Sequence, residues 1–149
     1  MITIRTLFLL LLAALASGAA ATAYAQRIPT VTVYKTATCG CCKDWVKHLE
    51  SNGFRVESHD VTDLDRIKQN LGVRPQYASC HTAIADGYAL EGHVPASDIK
   101  RLLAERPKGR GLAVPGMPGG SPGMESAPKQ PYATLLLDDQ GGAKVFAQH

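Results

Sequence analysis

Three thiols fall within four residues, Cys39-Gly40-Cys41-Cys42, and the chain changes its periodicity across them. Upstream, Val31-Thr32-Val33-Tyr34 alternates and is β-branched, which predicts a strand from about Thr30 to Lys35. Downstream, Trp45, Val46 and Leu49 recur at helical spacing, and Asn52-Gly53 supplies a C-terminal stop. The cluster therefore sits at a strand-to-helix turn, where free amides and the helix dipole stabilise thiolates. The fourth cysteine is Cys80, followed directly by His81. A Cys41–Cys42 bridge would be vicinal and far from ordinary disulfide geometry. Any two bridges would both have to use the cluster. These cysteines point to chemistry rather than to stapling.

The rest of the chain extends the strand-helix pattern. Phe54-Arg55-Val56-Glu57 with Val61 reads as a second strand, and Asp63 as the N-cap of a short helix carrying Leu64, Ile67 and Leu71 on one face. Arg74-Pro75-Gln76 is a break. Thr82-Ala83-Ile84-Ala85 and Tyr88-Ala89-Leu90-Glu91 flank an Asp86-Gly87 turn, a strong hairpin signal. Pro95 opens another helix with Ile99, Leu102 and Leu103 inward, ended by Pro107. From Lys108 to Pro131, Gly, Pro and Ser dominate, and the segment reads as a loop without a core of its own. A last hairpin joins Thr134–Leu137 to Ala143–Phe146. This order, a βαβ unit, a helix, a β-hairpin and a helix, predicts an α/β domain of thioredoxin type with its first two strands parallel. A C-terminal loop and hairpin extend it.

The first 25 residues stand apart. Arg5 precedes an apolar run from Leu7 to Leu15, and Ala23-Tyr24-Ala25 is a small-x-small cleavage signal. A spanning helix needs roughly 20 apolar residues, so the reading is a signal peptide at 1–25 and export to the periplasm. The domain then runs over 26–107, and 108–149 completes the metal site. Removing the leader takes Arg5 away and leaves 124 residues with 15 basic against 13 acidic side chains. So mild a balance, without a Lys/Arg run, argues against a nucleic-acid-binding role. No second stretch is long enough to cross a bilayer.

A dithiol exchange site needs two sulfurs, and a third nearby would scramble the pairing. A soft-metal site instead gains from a third thiolate, which can bridge ions. In thioredoxin-type domains a cis-proline usually precedes the third strand and faces the C-x-x-C. Here Cys80-His81 takes that place, and the nearest proline is Pro75. Met117 and Met124, in echoing Pro-Gly-Met contexts, are thioethers on a flexible loop, and soft sulfur selects Cu(I). The ligand set read from the residues is thus Cys39, Cys41, Cys42, Cys80, His81, Met117 and Met124, with His93 as a further candidate. Trp45 reads as core that could also cover the site. Lys35 reads either as a charge offset or as a strand-edge lysine, and His48 as a residue of a solvated helix face. Two other chemistries compete: thiol–disulfide exchange, and a structural zinc site of Cys₃His or Cys₄ type.

Val33-Tyr34-Lys35, Cys39-Gly40-Cys41-Cys42-Lys43-Asp44-Trp45, Ser79-Cys80-His81-Thr82, Gly87-Tyr88, Glu91-Gly92-His93-Val94-Pro95 and Gly111-Leu112-Ala113-Val114-Pro115-Gly116-Met117 together resemble the CopG-type copper-resistance family. The resemblance spans nearly the whole chain after the leader. It implies a periplasmic protein with a thioredoxin-like domain whose C-terminal extension helps to bind copper. It also implies several copper ions bridged by Cys39, Cys41, Cys42 and Cys80 with His81 beside them, and an oxidoreductase role in interconverting Cu(I) and Cu(II). The expected partners are copper ions and other periplasmic copper-handling or efflux proteins, with the chain itself a monomer.

Overall fold

The computed structural model describes residues 29–149. The leader read at 1–25 lies outside the described residues. The predicted first strand forms as β1 (Thr30–Lys35), and its alternation buries Val31, Val33 and Lys35. Then follow α1 (Gly40–Ser51), β2 (Arg55–Asp60), α2 (Leu64–Asn70), β3 (Thr82–Ala85), β4 (Tyr88–Glu91) and α3 (Ala96–Glu105). The chain ends with β5 (Gly111–Ala113), β6 (Ala133–Leu137) and β7 (Ala143–Gln148). A 3₁₀ turn at Pro75–Tyr77 marks the break before β3. Asp63 caps α2 by accepting from the Arg66 N–H at 3.1 Å, as expected. Arg106, left-handed at φ 51°, ends α3 one residue before Pro107.

All seven strands join one sheet in the order β2-β1-β3-β4-β5-β6-β7. β1 and β2 are parallel, and β3 lies antiparallel to both β1 and β4. The Asp86-Gly87 turn pairs Ala85 with Tyr88, as the hairpin signal requires. One expectation is corrected. The segment from Lys108 is not an uninterrupted loop, because Gly111–Ala113 forms β5, parallel to β4 and antiparallel to β6. Gly111 is needed there: at φ +150° it crosses so close to β4 that a Cβ would lie 1.8 Å from the Ala89 carbonyl oxygen. β5 therefore carries the late hairpin into the same sheet.

Successive strand residues feed opposite faces. Val31, Val33, Leu90, Leu112 and Leu136 join Trp45 and Leu49 of α1 and Ile99 and Leu102 of α3 in the main core. Ala89, Ala113 and Leu137 turn the other way onto Val73, Leu71 and Tyr77. Each fully buried leucine or isoleucine there contributes about 1.5–3 kcal/mol. The C-terminal hairpin is also tied to α3 by polar groups. The Thr134 hydroxyl donates to Asp98 Oδ2 at 2.6 Å, and His149 Nε2 reaches the same oxygen at 2.9 Å. Among the described residues no helix is long and apolar enough to cross a membrane.

Candidate metal centre

α1 begins at the cysteine cluster. Cys39 is its N-cap residue, with extended backbone and no side-chain cap, and Cys41 and Cys42 lie in the first turn. Helical spacing turns Cys42 and Trp45 inward, both fully buried, while Cys39 and Cys41 stay half-buried at the edge. Cys80-His81 leads from the 3₁₀ turn into β3, and because β3 runs antiparallel to β1, with Thr82 opposite Tyr34, both segments lie at the same end of the sheet. Among the described residues no peptide bond is cis, and the position ahead of β3 presents a thiol and an imidazole.

The result is a tight group of sulfurs. Cys39 and Cys42 are joined as a disulfide, whereas Cys41 and Cys80 are free. Cys41 Sγ stands 3.6 Å from Cys39 Sγ and 3.8 Å from Cys80 Sγ, and Cys42 Sγ stands 3.6 Å from Cys80 Sγ. All four sulfurs lie within 4.8 Å of one another. Burial pushes the Cys80 thiol up to about 12, with the Cys41 sulfur adding to the effect. Metal binding would therefore displace a proton from Cys80.

Two imidazoles complete a second group with Cys80, again with donor atoms within 4.8 Å of one another. Cys80 Sγ is 3.3 Å from His81 Nδ1 and 3.0 Å from His93 Nε2. His93 Nδ1 lies 2.8 Å from the Pro122 carbonyl, which can only accept. Nδ1 therefore carries the proton and Nε2 turns its lone pair to the sulfurs. His81 is fully buried against the Trp45 ring at 4.4 Å, and its Nε2 has no hydrogen-bond partner among the described residues. Burial holds both imidazoles below their ordinary pKa; for His81, His93 and then Lys68 add to the effect. Neutral imidazoles beside clustered sulfurs form a donor set suited to soft or borderline metal ions.

The Gly/Pro loop lies directly on this group. Gly116 N–H donates to the Ala78 carbonyl at 3.0 Å, and the Ser79 hydroxyl donates to the Gly116 carbonyl. Further on, Gly123 adopts φ +86°, and a Cβ there would lie 2.7 Å from Cys41 O and 2.9 Å from Trp45 N. Only glycine lets the loop rest so closely on the start of α1. Met117 is 52% exposed and Met124 half-buried.

Other sequence expectations resolve as follows. Trp45 is core and also walls the site, its indole N–H donating to Val94 O at 2.9 Å. Lys35 is buried and pairs with Asp60 on β2, which accounts for its charge away from the cysteines. His48 does not sit on a solvated face: it is half-buried, and its Nε2 accepts the Ala96 N–H at 3.1 Å, supplying the cap that Pro95 cannot give α3. Sequence reasoning missed a buried ion pair beneath the site. Glu91 pairs with Lys68 and accepts the Ser79 N–H at 2.6 Å, while Lys68 Nζ donates to His81 O at 3.2 Å. The pair thus holds the segment carrying Cys80 at both ends. Burial raises the Glu91 pKa, and Lys68 works against that rise.

A family model described as "Protein of unknown function, DUF411" matches residues 77–124, which include Cys80, His81 and His93. No curated protein matches the chain. Solved structures titled copper resistance protein CopG, forms 1 and 2, are each 48% identical to it with TM-scores of 0.78. Each alignment covers 83% of this chain, together with 98% of the form 1 chain and 99% of the form 2 chain. With that identity over nearly the whole length of those proteins, and with a four-cysteine cluster able to hold metal, this chain belongs to the CopG copper-resistance protein family.

Proposed function

We propose that this chain is an exported, periplasmic copper-binding protein of thioredoxin-like type that contributes to copper resistance by holding several copper ions on bridging thiolates. The observation that carries the reading is the convergence of four cysteine sulfurs from two distant segments within 4.8 Å, with buried imidazoles alongside. Once reduced, Cys39, Cys41, Cys42 and Cys80 offer up to four negative charges, which several Cu(I) ions would balance. His81 and His93 add neutral nitrogen, and Met117 and Met124 add thioethers from the loop. Losing an electron from a shared cluster would spread the charge over several sulfurs, which suits interconversion of Cu(I) and Cu(II). Copper would pass to or from other periplasmic copper-handling or efflux proteins, with the chain acting as a monomer.

The test is anaerobic copper loading of the reduced protein, with elemental analysis and sulfur-edge absorption. More than one copper per chain, bound to sulfur, is expected. Cys41→Ala removes the thiol surplus to a C-x-x-C pair and should lose most of the copper while keeping the fold. A single zinc per chain after copper challenge would overturn the reading in favour of a structural zinc site.

The disulfide itself supports a second reading, a thioredoxin-type thiol–disulfide oxidoreductase, since Cys39 and Cys42 are the bonded C-x-x-C pair. Turnover of a disulfide substrate by the metal-free protein would favour it.

A further inference from the structure

The Cys39–Cys42 disulfide ties up two of the four sulfurs that the copper reading needs as thiolates. We propose that this disulfide is a two-electron gate on the metal centre, opened by a dithiol reductant that attacks Cys39, and that the closed form keeps only a smaller site at Cys80, His81 and His93. The inference rests on the copper reading and adds its regulation.

The two sulfurs of the bridge are not equivalent. Cys39 is half-buried among exposed neighbours, Thr36, Ala37, Thr38 and Gly40. A Cβ on Gly40 would meet nothing within 4 Å, so the approach to Cys39 is open. Cys42 is 0% exposed, behind the bridge and 3.6 Å from Cys80 Sγ. Thiol–disulfide exchange proceeds by attack of a thiolate on one sulfur while the other leaves. Access selects Cys39 as the sulfur attacked and Cys42 as the leaving thiolate. Cys42 lies in the first turn of α1, where free amides and the dipole stabilise that charge.

The electrons balance. The reductant's first thiolate bonds to Cys39 Sγ as the Cys39–Cys42 bond breaks and Cys42 departs with the electron pair. The reductant's second thiolate then attacks its own bonded sulfur, leaving it as a disulfide and releasing Cys39. Two electrons pass from the dithiol to this chain, and the protons lost by the reductant go to solvent or to the released sulfurs.

Opening the gate changes what the centre can hold. The closed form leaves two free thiols, Cys41 and Cys80, with two imidazoles on the Cys80 side. The open form frees two more sulfurs, so that all four cysteines of the group, within 4.8 Å of one another in the closed form, become available as ligands. Ionising all four sulfurs so close together is opposed by their mutual repulsion, and bound copper ions would relieve it. Exchange with a disulfide oxidant, which takes up the two electrons and is left as its dithiol, would re-form the Cys39–Cys42 bridge, remove two bridging ligands and release copper.

The experiment compares the full chain, air-oxidised, with the same chain reduced by dithiothreitol and desalted anaerobically. Alkylation and mass mapping should find two reactive thiols and a Cys39–Cys42 peptide in the first, and four reactive thiols in the second. Under Cu(I) competition with bicinchoninate, the reduced form should retain at least twice as much copper per chain. In the reduced chain, limited alkylation should label Cys39 at least tenfold faster than Cys42. Equal copper in both forms, with the disulfide intact in one, would overturn the gate and leave the copper reading standing. Retention in neither form would remove the copper reading itself and the gate with it. Four free thiols in the oxidised chain, a different pairing, or faster labelling of Cys42 would overturn the gate as drawn.

Discussion

His93 turns its Nε2 to Cys80 Sγ at 3.0 Å while its Nδ1 is held at 2.8 Å by the Pro122 carbonyl. A β4–α3 connection and a loop residue 29 positions later thus fix the ring together. Held this way, the nitrogen left free is the one that faces the sulfurs. Replacing His93 with Asn should weaken Cu(I) retention about 10–100-fold, the scale seen when metal-site partners are lost. Thermal stability should fall little by comparison. A chelator competition against the parent protein measures it, and unchanged retention would remove His93 from the ligand set.

The Lys68–Glu91 pair supports the same centre from beneath. Both side chains are buried, and together they bind Ser79 N–H and His81 O on either side of Cys80. Removing one member strands the other charge in the interior, at a cost of about 3–5 kcal/mol. Lys68→Met should therefore lower the midpoint of urea unfolding sharply. Joint replacement, Lys68→Met with Glu91→Leu, should recover only part of the loss, because the Ser79 N–H is left unpaired. Full stability in the single variant would show that the pair bears no structural load.

His48 gives the fold a pH dependence whose sign follows from its contact. Burial lowers its pKa below the ordinary 6.5, with nearby Glu125 opposing that shift and Lys100 adding to it. Its neutral Nε2 accepts the Ala96 N–H, and protonation would set a donor against a donor. The contribution is thus fully present above 6.5 and is lost as pH falls through the lowered folded value. Its size should be about 1 kcal/mol, that of a helix cap. Unfolding curves from pH 7 down to 4 should show the parent losing more than His48→Gln, which keeps an acceptor without titrating there. Parallel losses in the two proteins would contradict the assignment.

What could be read in advance follows from the range over which each feature is encoded. β1, α1 and the Asp86-Gly87 hairpin are local patterns, and each appears where its periodicity or turn places it. β5 escaped because three residues, Gly111-Leu112-Ala113, are too few to show alternation, and its pairing with β4 is set by tertiary contact. The cysteine cluster announced itself by spacing, but four cysteines allow three complete pairings, and spacing alone did not select Cys39–Cys42. Lys68 carried no signal, since a lysine in a short helix reads as surface until the sheet buries it beside a residue 23 positions away. His48 was misread for the same reason: its partner, Ala96, lies 48 residues on.

The loop methionines test how far the C-terminal extension enters the chemistry. Gly116 is tied to Ala78 and Ser79, so Met117 is anchored at the edge of the segment carrying Cys80. Gly123, next to Met124, rests on the start of α1. Met117 is 52% exposed, so packing does not explain why a large apolar side chain stands there. A thioether offers soft, uncharged ligation that does not add to the negative charge of clustered thiolates, which suits Cu(I) and is of little use to zinc. Met117→Leu with Met124→Leu keeps apolarity and nearly the same volume, so folding should change by less than about 1.5 kcal/mol. Cu(I) retention against bicinchoninate should nevertheless fall severalfold. Equal retention at equal stability would limit the loop's part to the Pro122 carbonyl and the close approach of Gly123, leaving Cys39, Cys41, Cys42, Cys80, His81 and His93 to hold the metal.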